Sequence, residues 1–351
     1  MCKQEILISE NLEENLEKAI NQCPHDRLFI LTDTHTRDLC LPLIKDFPCL
    51  KGYDLITIAP GDRHKDLETL AGVWHLLSSR GGTRHSLMLN LGGGMVTDLG
   101  GFAASTFKRG ITYINIPTTL LSMVDAAIGG KTGINFNGLK NEIGAFAPAR
   151  CVILDTGFLR TLDAENLRSG YAEMLKHGLI STSTHWAELL NFDMERTDYN
   201  ALQALVGRSV GIKEEVVRQD PYEKSIRKAL NFGHTVGHAF ESLALKQGSP
   251  RLHGYAVAWG MVCELYLSYL HTGFPKDKLR QTVQFIKETY GTFAFDCKQY
   301  DRLYEFMTHD KKNESGIVNF TLLGDVGDIR INQTAGREEI FEALDFYREA
   351  M

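Results

Sequence analysis

The chain has no run of 18 apolar residues and no CxxC spacing among its seven cysteines. The first absence excludes a membrane-spanning helix by length, and the second removes the usual thiolate metal and redox motifs. Cys2, Cys23, Cys40, Cys49, Cys151, Cys263 and Cys297 are odd in number and scattered, which suits free thiols in a reducing compartment. Positive charge is also short: 38 Lys and Arg face 44 Asp and Glu, for a net charge of −6. That balance argues against nucleic acid as a partner, so an anionic small molecule would have to be gripped by a local group of cations. The opening MCKQEILISE lacks the apolar centre of a secretion signal, and a cytoplasmic protein is expected. No repeat, low-complexity tract or proline-rich linker divides the 351 residues. With 43% hydrophobic and 23% charged residues, the composition is that of a soluble protein long enough for two cores.

What is present changes character near residue 157. Before it, short apolar runs bounded by turn signals, RLFILTD (27–33), YDLITIA (53–59), SLMLNLGGG (86–94), ITYINIP (111–117) and RCVILDT (150–156), alternate with helical patterns such as DLETLAGVWHLLSSR (66–80). Strands separated by helices predict a doubly wound, mostly parallel, Rossmann-like α/β domain over 1–157. After it, 3.6-residue periodicity dominates, with one strand-like interruption at IVNFTLL (317–323), so 158–351 is expected to be a mainly helical, metal-binding domain. The active site is expected in the cleft between the two.

The metal expectation comes from NFGHTVGHAFE (231–241) and LHGYAVAWGM (252–261). His234 and His238 are four residues apart, so on one helix their rings share a face at roughly 6 Å. His253 opens the next helical pattern, and Glu173 in GYAEMLKH offers a carboxylate from an earlier helix. Three protein ligands and an open position are what catalytic zinc requires. A histidine pair at this spacing is often mere packing. However, Gly233, Gly237 and Gly254 stand where helix formers would be better by about 1 kcal/mol each, so something must approach the backbone there. His177 and Glu241 remain open as ligands on spacing alone. Arg227, Asn231, His234 and His238 recur at intervals of four, three and four, which predicts one polar helical stripe.

Anion-binding signals lie in both halves. LNLGGGMVTDLGGF (89–102) places Gly93 and Gly94 between a strand and a helix, where bare amides can hold a pyrophosphate, although the spacing is not GxGxxG. Asp98 follows on that helix, and PGDRHK (60–65) adds Asp62 and Lys65. In NIPTTLLSMVDAAIGGKTGINFNGLKNEIGAF (115–146), Lys131 follows two glycines, while Lys140 and Asn141 follow Gly138 in what reads as a second loop. Lys176, Lys213 and Arg227 supply cations near the proposed metal, and lysine is a compact charge for phosphate or carboxylate.

Together with GYAEMLKH and the late HDKKN (309–313), these motifs resemble the 3-dehydroquinate synthase family over about residues 55–325. The resemblance implies a zinc- and NAD-dependent enzyme, with cobalt as a possible substitute, that converts 3-deoxy-D-arabino-heptulosonate 7-phosphate to 3-dehydroquinate and phosphate. It does so by transient oxidation, elimination, re-reduction, ring opening and aldol closure. It implies Glu173, His234 and His253 as zinc ligands, with His238 and Asn231 at the reacting centre. Lys131, Lys176, Lys213, Arg227, Asp125 and either Lys311 or Lys312 would meet the substrate, and Arg109 would reach phosphate across a homodimer interface. Asp62, Lys65, Gly93, Gly94, Asp98, Thr118, Thr119, Lys131, Lys140, Asn141 and Thr161 would contact NAD. Asp62 departs from the family's usual Glu. A sibling sugar phosphate cyclase, a metal-dependent polyol dehydrogenase and a non-catalytic NAD- and zinc-binding scaffold are the competing readings. No membrane or nucleic-acid partner is expected.

Overall fold

The structure is a computed structural model that describes residues 4–308 and 317–351. It divides into Met1–Asp163 with Asp198–Val210, and Ala164–Thr197 with Gly211–Met351.

In the first unit the chain runs β1 (Glu5–Ile8), α1 (Leu12–Asn21), β2 (Leu28–Asp33), α2 (Thr34–Leu39), β3 (Asp54–Ile58), α3 (Leu67–Ser79), β4 (Leu87–Gly92), α4 (Gly94–Thr106), β5 (Thr112–Pro117), β6 (Lys131–Phe136), β7 (Leu139–Phe146) and β8 (Cys151–Leu154). Six strands form one sheet in the order β1-β8-β5-β4-β2-β3, every pairing parallel. A parallel sheet is covered on both faces, which is why Phe29, Ile30 and Leu31 are consecutive and all fully buried. After β3 the chain crosses to the other side of β2 to lay down β4, so the loop at Gly93 opens where the strand order reverses. A polar pair interrupts the apolar centre: Asn90 on β4 lies opposite Asn115 on β5, and its Nδ2 donates to Asn115 Oδ1 at 2.9 Å.

The five apolar runs are strands β2, β3, β4, β5 and β8. β1 and an antiparallel β6–β7 hairpin are additional. The hairpin closes through Asn137 (φ 50°) and Gly138 (φ 78°), the left-handed pair a tight two-residue turn requires. Lys140 and Asn141 therefore stand on a strand rather than in a loop.

The second unit contains α5 (Ala164–Leu179), α6 (Ser183–Leu190), the latter part of α7 (Tyr199–Gln219), α8 (His234–Lys246), α9 (His253–Thr272), α10 (Lys276–Tyr290), α11 (Tyr300–Thr308), the antiparallel hairpin β9 (Asn319–Asp325) and β10 (Asp328–Thr334), and α12 (Arg337–Ala350). Its core is rich in aromatics, with the Phe240 ring 5.6 Å from Phe293, 5.2 Å from Phe295 and 5.3 Å from Tyr347. No helix among the described residues is long and apolar enough to cross a membrane.

The expected stripe through Arg227, Asn231, His234 and His238 is not formed. Ile226–Asn231 is a 3-10 helix, Phe232 leaves it in an extended conformation, and Gly233 turns left-handed (φ 81°) before α8 starts at His234. Glycine makes that reversal without strain. The other glycines admit backbone, not ligand. A Cβ on Gly254 would lie 1.8 Å from Ser169 O, one on Gly260 2.1 Å from Gly233 O, and one on Gly237 2.9 Å from Ala256 O. These contacts bring α5, α8 and α9 close together where their histidines and carboxylate reside.

Candidate functional site

Helices α1, α2, α3 and α6 are capped by their own Asn11, Asp33, Asp66 and Thr182 side chains. Helices α4, α8 and α9 have no such cap from their N-cap residues Gly93, Gly233 and Leu252. For α8 and α9 the orphan amides are met from neighbouring helices. Ser169 Oγ of α5 accepts from Gly254 N at 3.0 Å, and Glu264 of α9 accepts from Gly233 N at 2.6 Å and Val236 N at 3.1 Å. His234 and His253 are the first residues of these two helices.

Both imidazoles are oriented through Nδ1. His234 Nδ1 lies 3.1 Å from the Phe232 carbonyl, and His253 Nδ1 lies 3.4 Å from Glu241 Oε2. Their Nε2 atoms are thereby turned toward one point, 3.3 Å and 3.6 Å from Glu173 Oε1. That oxygen is fully buried and accepts no hydrogen bond among the described residues, while Oε2 of the same carboxylate is held by Lys176. Burial works against the charge on Glu173, but the Lys176 ammonium and the neighbouring histidines hold its carboxyl well below the usual range. Burial pushes His234 down to about 4, so it is neutral at physiological pH. His253 moves the other way: burial opposes its proton, but Glu173 and Glu241 raise it to about 10. The half-buried His238 stands close, its ring centroid 5.4 Å from that of His234 and 5.8 Å from that of His253, and the three histidines can each present a nitrogen within 4.8 Å of the others.

In the same unit, Asp220 accepts from the backbone amides of Lys224 (3.0 Å), Ser225 (2.6 Å) and Arg227 (3.1 Å). This fixes buried Arg227, whose Nη1 donates to the Pro221 carbonyl at 2.6 Å. Asn231 Nδ2 donates to Glu223 Oε1 at 2.8 Å. Lys213 and His177 are buried. Lys311 and Lys312 lie outside the described residues.

The first unit gathers a second polar group of its own. Lys65 Nζ is hydrogen-bonded to Asn141 Oδ1 and lies 3.0 Å from Asp98 Oδ2 and 3.6 Å from Asp62 Oδ1. Lys140 Nζ is 3.8 Å from Asp62 Oδ2, and Asn135 Nδ2 donates to the Asp62 carbonyl at 2.9 Å. Asp98 does not cap α4; its carboxylate is engaged by Lys65 from the loop after β3. At the start of α4, a Cβ added to Gly93 would lie 3.0 Å from the Thr119 side chain, and Thr118 N donates to Gly92 O at 3.0 Å. Thr161 Oγ1 lies 3.4 Å from Cys40 Sγ. Lys131 begins β6, and Asp125 lies in a short π-helical turn ahead of it. Arg109 is exposed in a turn where Lys108 (φ 49°), Arg109 (φ 70°) and Gly110 (φ 112°) are all left-handed. Asn135, Glu223, Ser169 and Glu264 were not read from the sequence as site residues. Ser169 and Glu264 pair with amides 28–85 residues away, and Asn135 bonds Asp62 73 residues away; Glu223 is eight residues from Asn231, but the intervening 3-10 turn hides that pairing from helical spacing.

A parallel sheet with a glycine-opened helix at its strand reversal, joined in one chain to helices that converge two histidines on a fully buried carboxylate, defines an α/β protein with a candidate metal site. Solved structures share the whole architecture. The chain is similar over 100% of its length, and 98% of the other, to 2-epi-5-epi-valiolone synthase from Streptomyces hygroscopicus with NAD+ and Zn2+ bound (TM-score 0.88, 27% identity). Its fold also matches 2-deoxy-scyllo-inosose synthase complexed with carbaglucose-6-phosphate, NAD+ and Co2+ (TM-score 0.86, 23% identity, 99% and 96% coverage).

Sequence comparison is narrower. The family model for the 3-dehydroquinate synthase N-terminal region matches residues 55–169 and that for the C-terminal region residues 170–313. The 3-dehydroquinate synthase of Parabacteroides distasonis is 56% identical over 100% of this chain and 99% of its own, and that of Clostridium tetani is 33% identical over 98% and 92%. The chain belongs to the 3-dehydroquinate synthase family.

Proposed function

We propose that the chain carries out the family reaction, 3-deoxy-D-arabino-heptulosonate 7-phosphate to 3-dehydroquinate and phosphate, with a divalent metal on Glu173, His234 and His253 and with NAD at the Lys65–Asp98 group. The observation behind the metal assignment is the orphaned Glu173 Oε1 beside two Nε2 atoms at 3.3 Å and 3.6 Å. Ligand atoms about 2.0–2.2 Å from a tetrahedral zinc lie roughly 3.3–3.6 Å apart. The alternative triple, His234, His238 and His253, leaves that buried oxygen unpartnered, at a cost of about 1–3 kcal/mol. The donor set also suits the ion. One carboxylate is ionised and one imidazole neutral, and the proton that Glu173 and Glu241 hold on His253 leaves when metal binds.

Bound there, the metal supplies Lewis acidity to a substrate hydroxyl, and NAD supplies a hydride acceptor that is restored each turnover. The chain's own groups do the remainder. His238, outside the ligand set but one turn along α8 from His234, carries protons. Arg227, Lys176 and Lys213 hold the substrate's anionic groups with buried charge, and the Asn231 carbonyl accepts from a hydroxyl. Asp62, Lys140, Asn141, Gly93, Gly94, Thr118, Thr119 and Thr161 position the cofactor around Lys65. Arg109, presented on an exposed left-handed turn, serves a second copy in a homodimer, which sedimentation can test.

The deciding assay is phosphate release from the heptulosonate phosphate. It should proceed without net NADH, stop on chelation, and return with zinc or cobalt. Net NADH accumulation would instead fit a polyol dehydrogenase, and full activity in verified metal-free protein would end the metal reading.

A further inference from the structure

We propose that Glu264, a fully buried carboxylate on α9, is a positioning residue for the metal site: it sets the place of His234 and thereby tunes metal affinity. The proposal rests on the metal reading above. Its basis is that Gly233 has no side chain to cap α8, and Glu264 reaches across to accept from the amides of Gly233 at 2.6 Å and Val236 at 3.1 Å. Those two donors bracket His234 in sequence. The carboxylate therefore holds the backbone on both sides of the imidazole, while His253 starts the helix to which Glu264 belongs. One side chain thus links the start of α8, at His234, to the helix that His253 begins.

A local cap would serve stability alone, and glycine is only slightly worse than Ser or Asp at the N-cap. Reaching across instead buries a formal charge, which is expensive without full partners. Two charge-assisted hydrogen bonds and the positive end of α8 compensate it. The contact also needs the backbone approach at Gly260, where a Cβ would lie 2.1 Å from Gly233 O. A negative charge fixed behind the first turn of α8 further favours a cation in front of it.

The test compares wild type, Glu264→Gln and Glu264→Asp as full-length apo proteins. Glutamine keeps the shape, but its NH2 faces one of the two N–H donors; aspartate keeps the charge but is one methylene too short to satisfy both. Zinc affinity is measured by chelator competition, and the visible band of the cobalt-loaded protein reports ligand geometry. Wild type should take up one equivalent. Glu264→Gln should bind about 10–100-fold more weakly, the usual effect of losing an outer support of a ligand, with an altered cobalt band. Glu264→Asp should fall between. A folded Glu264→Gln protein with wild-type zinc affinity and cobalt band, whatever its melting temperature, would overturn the proposal in favour of a plain helix cap. If neither variant folds, the carboxylate belongs to the fold and the positioning role is likewise overturned. Absence of zinc uptake by wild type would instead refute the metal reading itself, and this inference with it.

Discussion

Lys65 Nζ lies 3.0 Å from Asp98 Oδ2, joining the loop after β3 to the second turn of α4. The carboxyl is nonetheless raised to about 6, because its burial outweighs the pull of the lysine. In the unfolded chain it titrates near 3.9. The folded state therefore binds this proton more tightly. The stability the proton contributes is full below about pH 4 and is lost as pH rises through about 6. Asp98→Asn cannot titrate, so the melting temperature of the variant minus that of wild type should climb between pH 4 and pH 6–7 and then level off. A difference independent of pH would contradict the raised value.

The two histidines flanking His234 in the cluster should separate by metal content. His253→Ala should lose stoichiometric zinc together with activity. His238→Ala should retain zinc and NAD binding but turn over about 10²–10⁴-fold more slowly, the range for a general acid–base group. Elemental analysis of both purified proteins decides between the ligand sets: zinc in His253→Ala and none in His238→Ala would transfer the ligand role to His238.

Asp220 binds no substrate in this reading, yet it should matter to binding. Its carboxyl is held at about 2, since three backbone amides outweigh burial. The support is thus present above about pH 4 and disappears as pH falls through about 2. Asp220→Asn should release the Lys224–Arg227 segment and raise KM for the phosphorylated substrate roughly three- to tenfold with a smaller change in kcat, as expected for a loosened charge-assisted contact. An unchanged KM would show that Arg227 does not depend on this loop.

Gly254 permits contact between α5 and α9, and Gly254→Ala would push a methyl to 1.8 Å from Ser169 O. Overpacking of this kind costs about 1–3 kcal/mol or more. Because Glu173 lies one turn beyond Ser169 and His253 immediately precedes Gly254, zinc affinity should fall along with the melting temperature. Calorimetry with a parallel zinc titration checks both.

The strands were legible where burial on both faces writes an unbroken apolar run, as at Phe29–Leu31. The β6–β7 hairpin was obscured because its polar residues suggested loops, although Asn137–Gly138 carried a turn signal between Phe136 and Leu139. The 227–238 stripe misled for the opposite reason. Its spacing was helical, but one left-handed glycine breaks the period, and the cap that stabilises the break comes from Glu264, 31 residues away from Gly233. Local pattern identified which residue types were present at the site. It could not show that Glu241 and the Phe232 carbonyl would fix the imidazoles, since those contacts exist only after the helices dock.

Glu173, His234 and His253 come from three helices, tied by caps that each belong to a different helix from the amides they serve. The site therefore has no partial form: an isolated α8 offers a histidine but no pocket. Under the proposed metal assignment, metal capture would report completed docking, and a loosened protein should lose metal affinity while its helical content is still intact. In the cell, scarcity of the metal would then be felt as fragility of these helices as well as loss of turnover, because an ion that binds only the docked state raises its stability by mass action.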